Sequence, residues 1–415
     1  MRERLLSGVG VLAMLGVAWA LAPAGLRRRA DRRTVGWGMA VLFGFALLVL
    51  RTPAAGVFGA ASRGVDALLD FTREGSRFVF GRLATDTSTF GFVLAFQVLP
   101  TIVFFSALTS VLYHTGVLPF VIDRMARALA RTLRVSGAES FSTVADIFVG
   151  QTEAPLAVRP YLPAMTLSEL HACMVAGFAT TAGGVLAAYV AMLRDHVPGV
   201  AGHLIACSVM SAPASLVIAK LMLPETEVAP TAGGARVSVE RSHANLLDAI
   251  ASGTTEGVKL AVNVGAMLIV FLALTALVDA GLGALGRAVG VELGLSRVFA
   301  WVFWPLAAVM GVPAEDVPKL ASLLGQKTVL NEFVAYTTMS QELARDPGWL
   351  TERGRLVASY ALCGFANFGS IGIQIGGYSA LAPERRGDVS RLALRAMAGG
   401  LLTTCLVACV AGLVL

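Results

Sequence analysis

Charged side chains are scarce in this chain of 415 residues. They make up 14% of it, whereas a typical soluble domain carries about 25%. Hydrophobic residues make up 56%, and the mean hydropathy is +0.73. This composition excludes an ordinary soluble domain and predicts a protein that crosses a membrane several times.

Metal-ligating and nucleophilic side chains are also few and scattered. The five histidines form no cluster. The five cysteines lie in apolar segments without metal-ligand spacing, although Cys405 and Cys409 share one helix face. We interpret the cysteines as small core residues. A membrane enzyme would need a nucleophile or a metal cluster beside its acid and base, and the sequence offers neither, so we expect no enzyme and no cofactor.

Acidic residues are fewer than basic ones. The chain has 27 Asp and Glu against 33 Lys and Arg, which gives a net charge of +6. Such an excess can indicate a nucleic-acid partner. Here the arginines cluster in short loops between apolar stretches, which is typical of the cytoplasmic loops of membrane proteins. We therefore expect a multi-pass protein of the inner (plasma) membrane, with lipid rather than nucleic acid around it.

The N-terminus allows two interpretations. Arg2 and Arg4 precede an apolar stretch with an Ala-Leu-Ala tripeptide, as in a signal peptide. Cleavage there would leave the arginine cluster at 27–33 outside, against the positive-inside rule. We predict instead that residues 5–24 form the first membrane helix with its N-terminus outside, and the signal peptide is the alternative.

Apolar stretches of about 20 residues are long enough to cross a bilayer. They predict spans at 5–24, 35–51, 89–113, 168–194, 199–222, 259–286, 355–380 and 396–414.

Two stretches between these spans mix charged and apolar residues. Residues 52–88 predict an amphipathic segment on the outer surface. In residues 120–134, arginines line one face of a predicted helix and apolar residues the other. A basic amphipathic helix belongs at the cytoplasmic interface, so this one marks the inner side.

Two polar strings interrupt the apolar sequence, GQTEAP at 150–155 and GQKTVLNEF at 325–333. Ionisable groups inside membrane segments are costly and usually line a path or a site. Irregular backbone at membrane depth survives only where protein or a water-filled cavity satisfies it. We predict re-entrant hairpins at 138–162 and 315–341, with these strings at their tips.

Each predicted hairpin precedes a span broken by a glycine-rich string, at 178–184 and at 365–372. The hairpins enter from opposite sides, which predicts an inverted repeat with a polar site at the midplane. The predicted fold is an all-α polytopic membrane protein of about eight transmembrane helices, with two opposed re-entrant hairpins and broken helices in an inverted repeat. A gated channel that uses the polar residues as a filter is an alternative.

These elements divide the chain into a scaffold with an interfacial helix, a first hairpin unit, a cytoplasmic linker with an amphipathic helix, a scaffold helix with an outer segment, and a second hairpin unit. The predicted bounds are 1–135, 136–222, 223–258, 259–314 and 315–415.

Long strings at the hairpins and broken helices resemble the concentrative nucleoside transporter family in its bacterial eight-span form. The resemblance covers residues 90–415. The matching strings are VADIFVGQTEAPLAVRPYL, FATTAGGVLAAY, KTVLNEFVAY, LCGFANFGSIGIQIGG and LAPERRGDVSRLALRAMAGG.

The resemblance implies a homotrimeric symporter that imports nucleosides of the uridine, cytidine and adenosine class by alternating access. It implies base contacts at Gln151, Thr152 and Glu153, apolar packing on the base by Val185 and Phe365, and ribose contacts at Glu332, Asn367 and Ser370. The chemistry agrees, because ribose hydroxyls donate well to a carboxylate, in hydrogen bonds about twice as strong as neutral ones. The alternative for each residue is a polar brace at a broken helix end, the role we expect for Glu139 and Asn331.

The resemblance also implies a cation site, made by the side chains of Asp146 and Thr180 and the carbonyls of Val149 and Thr181. Sodium-coupled members carry Asn where this chain has Asp146. The aspartate adds a negative charge that suits Na⁺ but could instead take a proton, because burial favours the neutral acid. We expect Na⁺ coupling, with a proton-coupled transporter of nucleosides or nucleobase-like solutes as the alternative.

Overall fold

Helices dominate the computed structural model, which describes residues 1–52, 55–90, 93–232, 243–291 and 293–415. No strand occurs among the described residues. This agrees with the predicted all-α class. Part of the predicted linker, 233–242, lies outside the described residues.

The N-terminal part carries the helices that precede the first polar string. They are α1 (Arg2–Ala20), α2 (Arg32–Arg51), α3 (Ala55–Phe80), α4 (Leu99–His114) and α5 (Val117–Leu133). Short helical turns connect them at Arg27–Arg29, Arg82–Thr85, Thr87–Phe90 and Leu94–Gln97. Helix α5 is the basic amphipathic helix that the arginine spacing predicts: it buries Ile122 and Leu129 and exposes Arg127 and Arg131.

The first repeat unit consists of a hairpin and a broken helix. Hairpin 1 comprises α6 (Gly137–Asp146), an irregular tip, and helical turns at Ala154–Ala157 and Arg159–Ala164. Broken helix 1 comprises α7 (Leu167–Ala179) and α8 (Gly183–Leu193). Helices α6 and α7 both start with a capping box, Ser136 with Glu139 and Thr166 with Glu169, which satisfies the first backbone N–H groups.

The second repeat unit follows α9 (Val200–Met222), α10 (Leu246–Val289) and α11 (Leu295–Ala308). Hairpin 2 comprises α12 (Val317–Val329) and α13 (Glu332–Arg345), and broken helix 2 comprises α14 (Glu352–Leu362) and α15 (Phe368–Leu381). After a turn at Pro383–Arg385, α16 (Arg386–Val414) ends the chain.

Seven helical segments among the described residues are long and apolar enough to cross a membrane, and one of them is broken helix 1, Leu167–Leu193, taken through its break. They account for the predicted spans except 355–380. That stretch is divided into α14 of 11 residues and α15 of 14 residues, each too short to cross alone.

Two helices have bounds that differ from the predicted ones. The predicted linker helix and the span at 259–286 form one helix, α10, of 44 residues, or about 66 Å. No proline separates the two parts, and helix formation is cooperative once begun. The tip of hairpin 2 is also shorter than predicted, because 325–329 continue α12 and only Leu330 and Asn331 separate its two helices. The hydroxyl of Thr328 bonds to the Leu324 carbonyl within α12.

Polar bonds tie the start of each hairpin to its broken helix. In the first unit, the ammonium of Lys220 lies 2.8 Å from Glu139 of α6 and donates to Ser168 of α7 at 3.0 Å. In the second, buried Asp316 accepts hydrogen bonds from the backbone and hydroxyl of Thr351, the N-cap of α14. The two units are therefore anchored alike, and Glu139 has the structural role that we expected.

Helix α16 packs closely on α7 through glycine. A Cβ added at Gly400 would lie 2.4 Å from the Cβ of Phe178, closer than two side chains can approach. Gly387, in the first turn of the same helix, has open space around it. These two glycines offer a matched test of helix packing.

We expect Gly400→Ala to lower the free energy of unfolding by about 1–3 kcal/mol, because the methyl group forces α16 away from α7. Gly387→Ala should leave it unchanged or raise it by up to about 1 kcal/mol, since alanine favours the helix. Thermal unfolding of both variants in detergent tests this. Equal stability of the two variants would contradict the close packing.

Candidate functional site

The hairpin tips and helix breaks of the two units lie in contact. Gly150, at φ +90°, packs against Ala182 in the break of broken helix 1, where a Cβ would lie 2.8 Å from the Ala182 Cβ. Gly364, at φ +128°, packs against the carbonyl oxygen of Ala179, 2.7 Å from where its Cβ would lie. Both positions need glycine for conformation and for space. Interrupted helices from both repeats thus meet in one region.

Glu332 is the buried carboxylate of this region. It is the first residue of α13, and Asn331 before it caps the helix by accepting from the backbone N–H of Val334 at 2.9 Å. The carboxylate accepts a hydrogen bond from the Tyr189 hydroxyl at 3.0 Å and one from the Asn367 amide at 2.9 Å. A helix N-terminus also favours a negative charge. The structure therefore brings the predicted partners Glu332 and Asn367 together, and Asn331 has the structural role that we expected.

Gln151 is the buried amide at the tip of hairpin 1. It donates to the hydroxyl of Ser370 in α15 at 3.3 Å and accepts from the amide of Gln374 at 3.1 Å. Gln374 also donates to the carbonyl of Met174 in α7 at 3.1 Å. Hairpin 1 is thereby linked through side chains to the broken helices of both units.

Sequence reasoning missed two members of this cluster, Tyr189 and Gln374. Gln374 carries the signal that marks Gln151, an amide among apolar neighbours in a membrane segment. Tyr189 carries no such signal, because tyrosine is common in apolar cores. It also stacks on Tyr336, with ring centroids 4.3 Å apart, which fixes its hydroxyl towards Glu332.

A cavity of about 1010 Å³ lies on the other side of the hairpin 1 tip, between the tip, α4, α8 and α10. Thr152, Glu153 and Val185 line it, together with Glu256 and Lys259 of α10.

The predicted nucleoside-contacting residues thus fall into separate groups. Those in the buried cluster satisfy one another, as buried polar groups must, and those of the other group face the cavity. The structure does not bring the two groups into direct hydrogen bonding. Phe365 is half-buried and packs against the apolar core.

The predicted cation ligands lie around the same tip. Asp146 ends α6 and is 1% exposed, and neither carboxylate oxygen has a hydrogen-bond partner among the described residues. The Thr180 hydroxyl donates to the Ala176 carbonyl at 2.8 Å, and that of Thr181 lies 3.4 Å from the Cys363 sulfur. Val149 lines the cavity.

The tip is joined to the helix break beside it. The backbone N–H of Gly183 donates to the Phe148 carbonyl at 3.0 Å. The described residues contain no cluster of three or more His, Cys, Asp or Glu side chains that could hold a metal ion. A cation here would depend on hydroxyl and carbonyl oxygens, which suit Na⁺, with Asp146 as the charged ligand.

Comparison with known proteins identifies the family. A family model for the C-terminus of Na⁺-dependent nucleoside transporters matches residues 203–412, one for their N-terminus matches 9–83, and one for nucleoside recognition matches 95–195. A transporter of unassigned function from Haemophilus influenzae is 43% identical over 99% of this chain and 97% of its own. The chain belongs to the concentrative nucleoside transporter family.

The family includes mammalian relatives and solved structures. Sodium/nucleoside cotransporter 1 of Rattus norvegicus is 41% identical over 99% of this chain, which spans 64% of the length of that relative. The inward-facing, substrate-bound structure of CNTnw matches with a TM-score of 0.91 at 40% identity, covering 99% of this chain and 98% of that one. An outward-facing CNTnw variant matches with a TM-score of 0.93 at 41% identity, covering 99% and 97%.

Membership establishes a multi-pass membrane transporter rather than an enzyme, as the sequence predicts. The resemblance found at the hairpin strings is confirmed. It also extends further than predicted, because the matches include the N-terminal helices outside 90–415.

We expect Tyr189→Phe to weaken nucleoside binding about tenfold, because the Glu332 carboxylate loses one of its two protein donors. Tyr336→Phe is the matched control, since its hydroxyl donates instead to the Ser359 carbonyl, at 2.7 Å. It should lower thermal stability with a smaller change in affinity. Calorimetry on the purified variants measures both, and unchanged nucleoside affinity in Tyr189→Phe would contradict this role of the tyrosine.

Proposed function

We propose that the chain is a cation-coupled nucleoside symporter that works by alternating access. One observation carries the proposal: a buried cluster of a carboxylate, amides and hydroxyls that joins both repeats through the Gln151–Ser370 and Tyr189–Glu332 hydrogen bonds. A nucleoside offers the matching groups. Its ribose hydroxyls can donate to Glu332, and its base can exchange hydrogen bonds with the Gln151 amide.

Binding would exchange these mutual hydrogen bonds for bonds to the nucleoside. Ser370 and Asn367 would then contact the ribose, and Val185 and Phe365 would pack on the base. A solute without the hydroxyls would leave buried polar atoms unpaired, at a cost of about 1–3 kcal/mol each. The expected substrates are therefore nucleosides of the uridine, cytidine and adenosine class.

The cavity beside hairpin 1 fits a route between this site and the cytoplasm. It is lined by Tyr113 near the end of α4, which leads into the basic helix α5, and by Thr152 and Glu153 of the tip. With α5 at the cytoplasmic interface, the cavity opens inwards. Glu153 would meet the base as it leaves the site.

We further propose the division into scaffold and hairpin units at 1–135, 136–222, 223–258, 259–314 and 315–415, in which α10 continues across 258–259, and a homotrimer as the assembly. The homotrimer is supported by α10, because only 11% of its most apolar 18-residue stretch is buried within the chain. Exposed apolar surface of this extent needs lipid or a partner subunit.

Na⁺ is the proposed coupling cation, supported by the sodium dependence in the description of the family model and by the buried Asp146 carboxylate at the start of the hairpin 1 tip. The same residue supports the second candidate, H⁺. A buried aspartate with both oxygens unpartnered is unstable as a free anion and must gain either a metal cation or a proton.

We expect purified protein in liposomes to accumulate labelled uridine when an inward Na⁺ gradient is imposed, and to lose this accumulation when choline replaces Na⁺ at a fixed pH gradient. Asp146→Asn should keep the sodium dependence, since an amide oxygen still binds Na⁺. Undiminished uptake in choline would overturn the sodium assignment. Sodium dependence that arises only in Asp146→Asn would assign the native cycle to H⁺.

A further inference from the structure

A lysine of hairpin 2 is completely buried beside the candidate site. Lys327 lies in the last turn of α12 and is 0% exposed. Its ammonium donates to the carbonyl of Ala361 in α14 at 2.8 Å and to the hydroxyl of Thr404 in α16 at 2.8 Å. Both partners are neutral, whereas a buried ammonium normally needs a compensating negative charge. The compensation must come from its surroundings.

The C-terminal end of α14 supplies part of that charge. The last carbonyls of a helix lack partners within it and carry a partial negative charge. Here the Ser359 carbonyl accepts from Tyr336, the Tyr360 carbonyl from Cys207, and the Ala361 carbonyl from Lys327. Tyr336 and Lys327 come from the two arms of hairpin 2. The hairpin therefore holds the negative end of the helix break with its own side chains.

The first repeat carries a group of opposite charge at the end of its first hairpin helix, where Asp146 is the last residue of α6. Phe148 and Gly150, directly after Asp146, contact the break that follows α7. The hairpin helix that leads to this break therefore ends in a carboxylate, whereas α12 of hairpin 2 carries an ammonium in its last turn. A carboxylate close to the partial negative charge of helix-end carbonyls is stable only with an added metal cation or a proton.

We propose that Lys327 is a built-in cation of the second repeat. Its ammonium keeps hairpin 2 closed on broken helix 2 without an ion from solution, and ion dependence is confined to hairpin 1. This rests on the proposed cation coupling at Asp146. Glu332 begins the second arm of the same hairpin, so the lysine is a positioning residue that holds the carboxylate in place without contacting the nucleoside.

Hydrogen–deuterium exchange of the unmodified protein without nucleoside tests the proposal directly. Backbone amides at 325–334 should be protected equally in Na⁺ and in choline, and those at 146–153 should gain protection in Na⁺. If 325–334 exchange rapidly in choline and become protected by Na⁺, the built-in cation is excluded. If neither segment responds to Na⁺, the sodium assignment fails, while sustained protection of 325–334 still supports Lys327.

A charge-removing variant provides the second test. Lys327→Gln keeps an amide donor for Ala361 and Thr404 but removes the charge, so uridine affinity at saturating Na⁺ should fall about tenfold or more. Lys319→Gln, on the same helix with a side chain 31% exposed, should change it by less than about twofold.

If Lys327→Gln binds uridine as tightly as the unmodified protein does, Lys327 acts only as a hydrogen-bond donor and the proposal is overturned. If Lys327→Gln does not fold, the exchange experiment on the unmodified protein decides. Failure of the unmodified protein to bind uridine would instead contradict the proposed function.

Discussion

The need to satisfy helix ends inside a membrane shapes the centre of this protein. Each interrupted helix exposes backbone groups that lipid cannot bond, so side chains from the hairpins and neighbouring helices must reach them. At the end of α14, Tyr336 and Lys327 do so. Glycine permits the close approach, Gly150 of the hairpin 1 tip on Ala182 and Gly364 of broken helix 2 on Ala179. The site exists where it does because the helix breaks must be packed against one another.

The two repeats surround their buried carboxylates differently. Glu332 is a buried carboxylate with two protein donors, whereas Asp146 is a buried carboxylate with no hydrogen-bond partner among the described residues. A carboxylate that accepts hydrogen bonds from the protein can stay ionised and can accept further hydrogen bonds from a substrate. An unsatisfied one must acquire a cation or a proton before its surroundings are stable. This difference supports the proposal that Glu332 recognises the substrate and that Asp146 confers ion dependence.

Much of this arrangement is predictable from the sequence. Glu332, Asn367 and Gln151 are polar residues within apolar segments, and their cost in a membrane marks them without any knowledge of the fold. The hydrogen-bond partners are less predictable, because they come from segments distant in the chain: Lys327 reaches Ala361 across 34 residues. The predicted bounds of a helix also differ from the observed ones where the sequence carries no clear signal for a helix end. In α10, no break separates the linker helix from the span. Tyr189 was missed because an apolar helix normally contains such residues.

The claim that both repeats build one nucleoside site is tested most directly by a structure of the protein with uridine and Na⁺ bound. The ribose should lie within hydrogen-bond distance of Glu332 and Asn367, and the base beside Gln151, with the Gln151–Ser370 bond replaced by contacts to the ligand. Uridine bound only in the cavity near Glu256 and Lys259, with the Glu332–Asn367 and Gln151–Ser370 bonds intact, would contradict it.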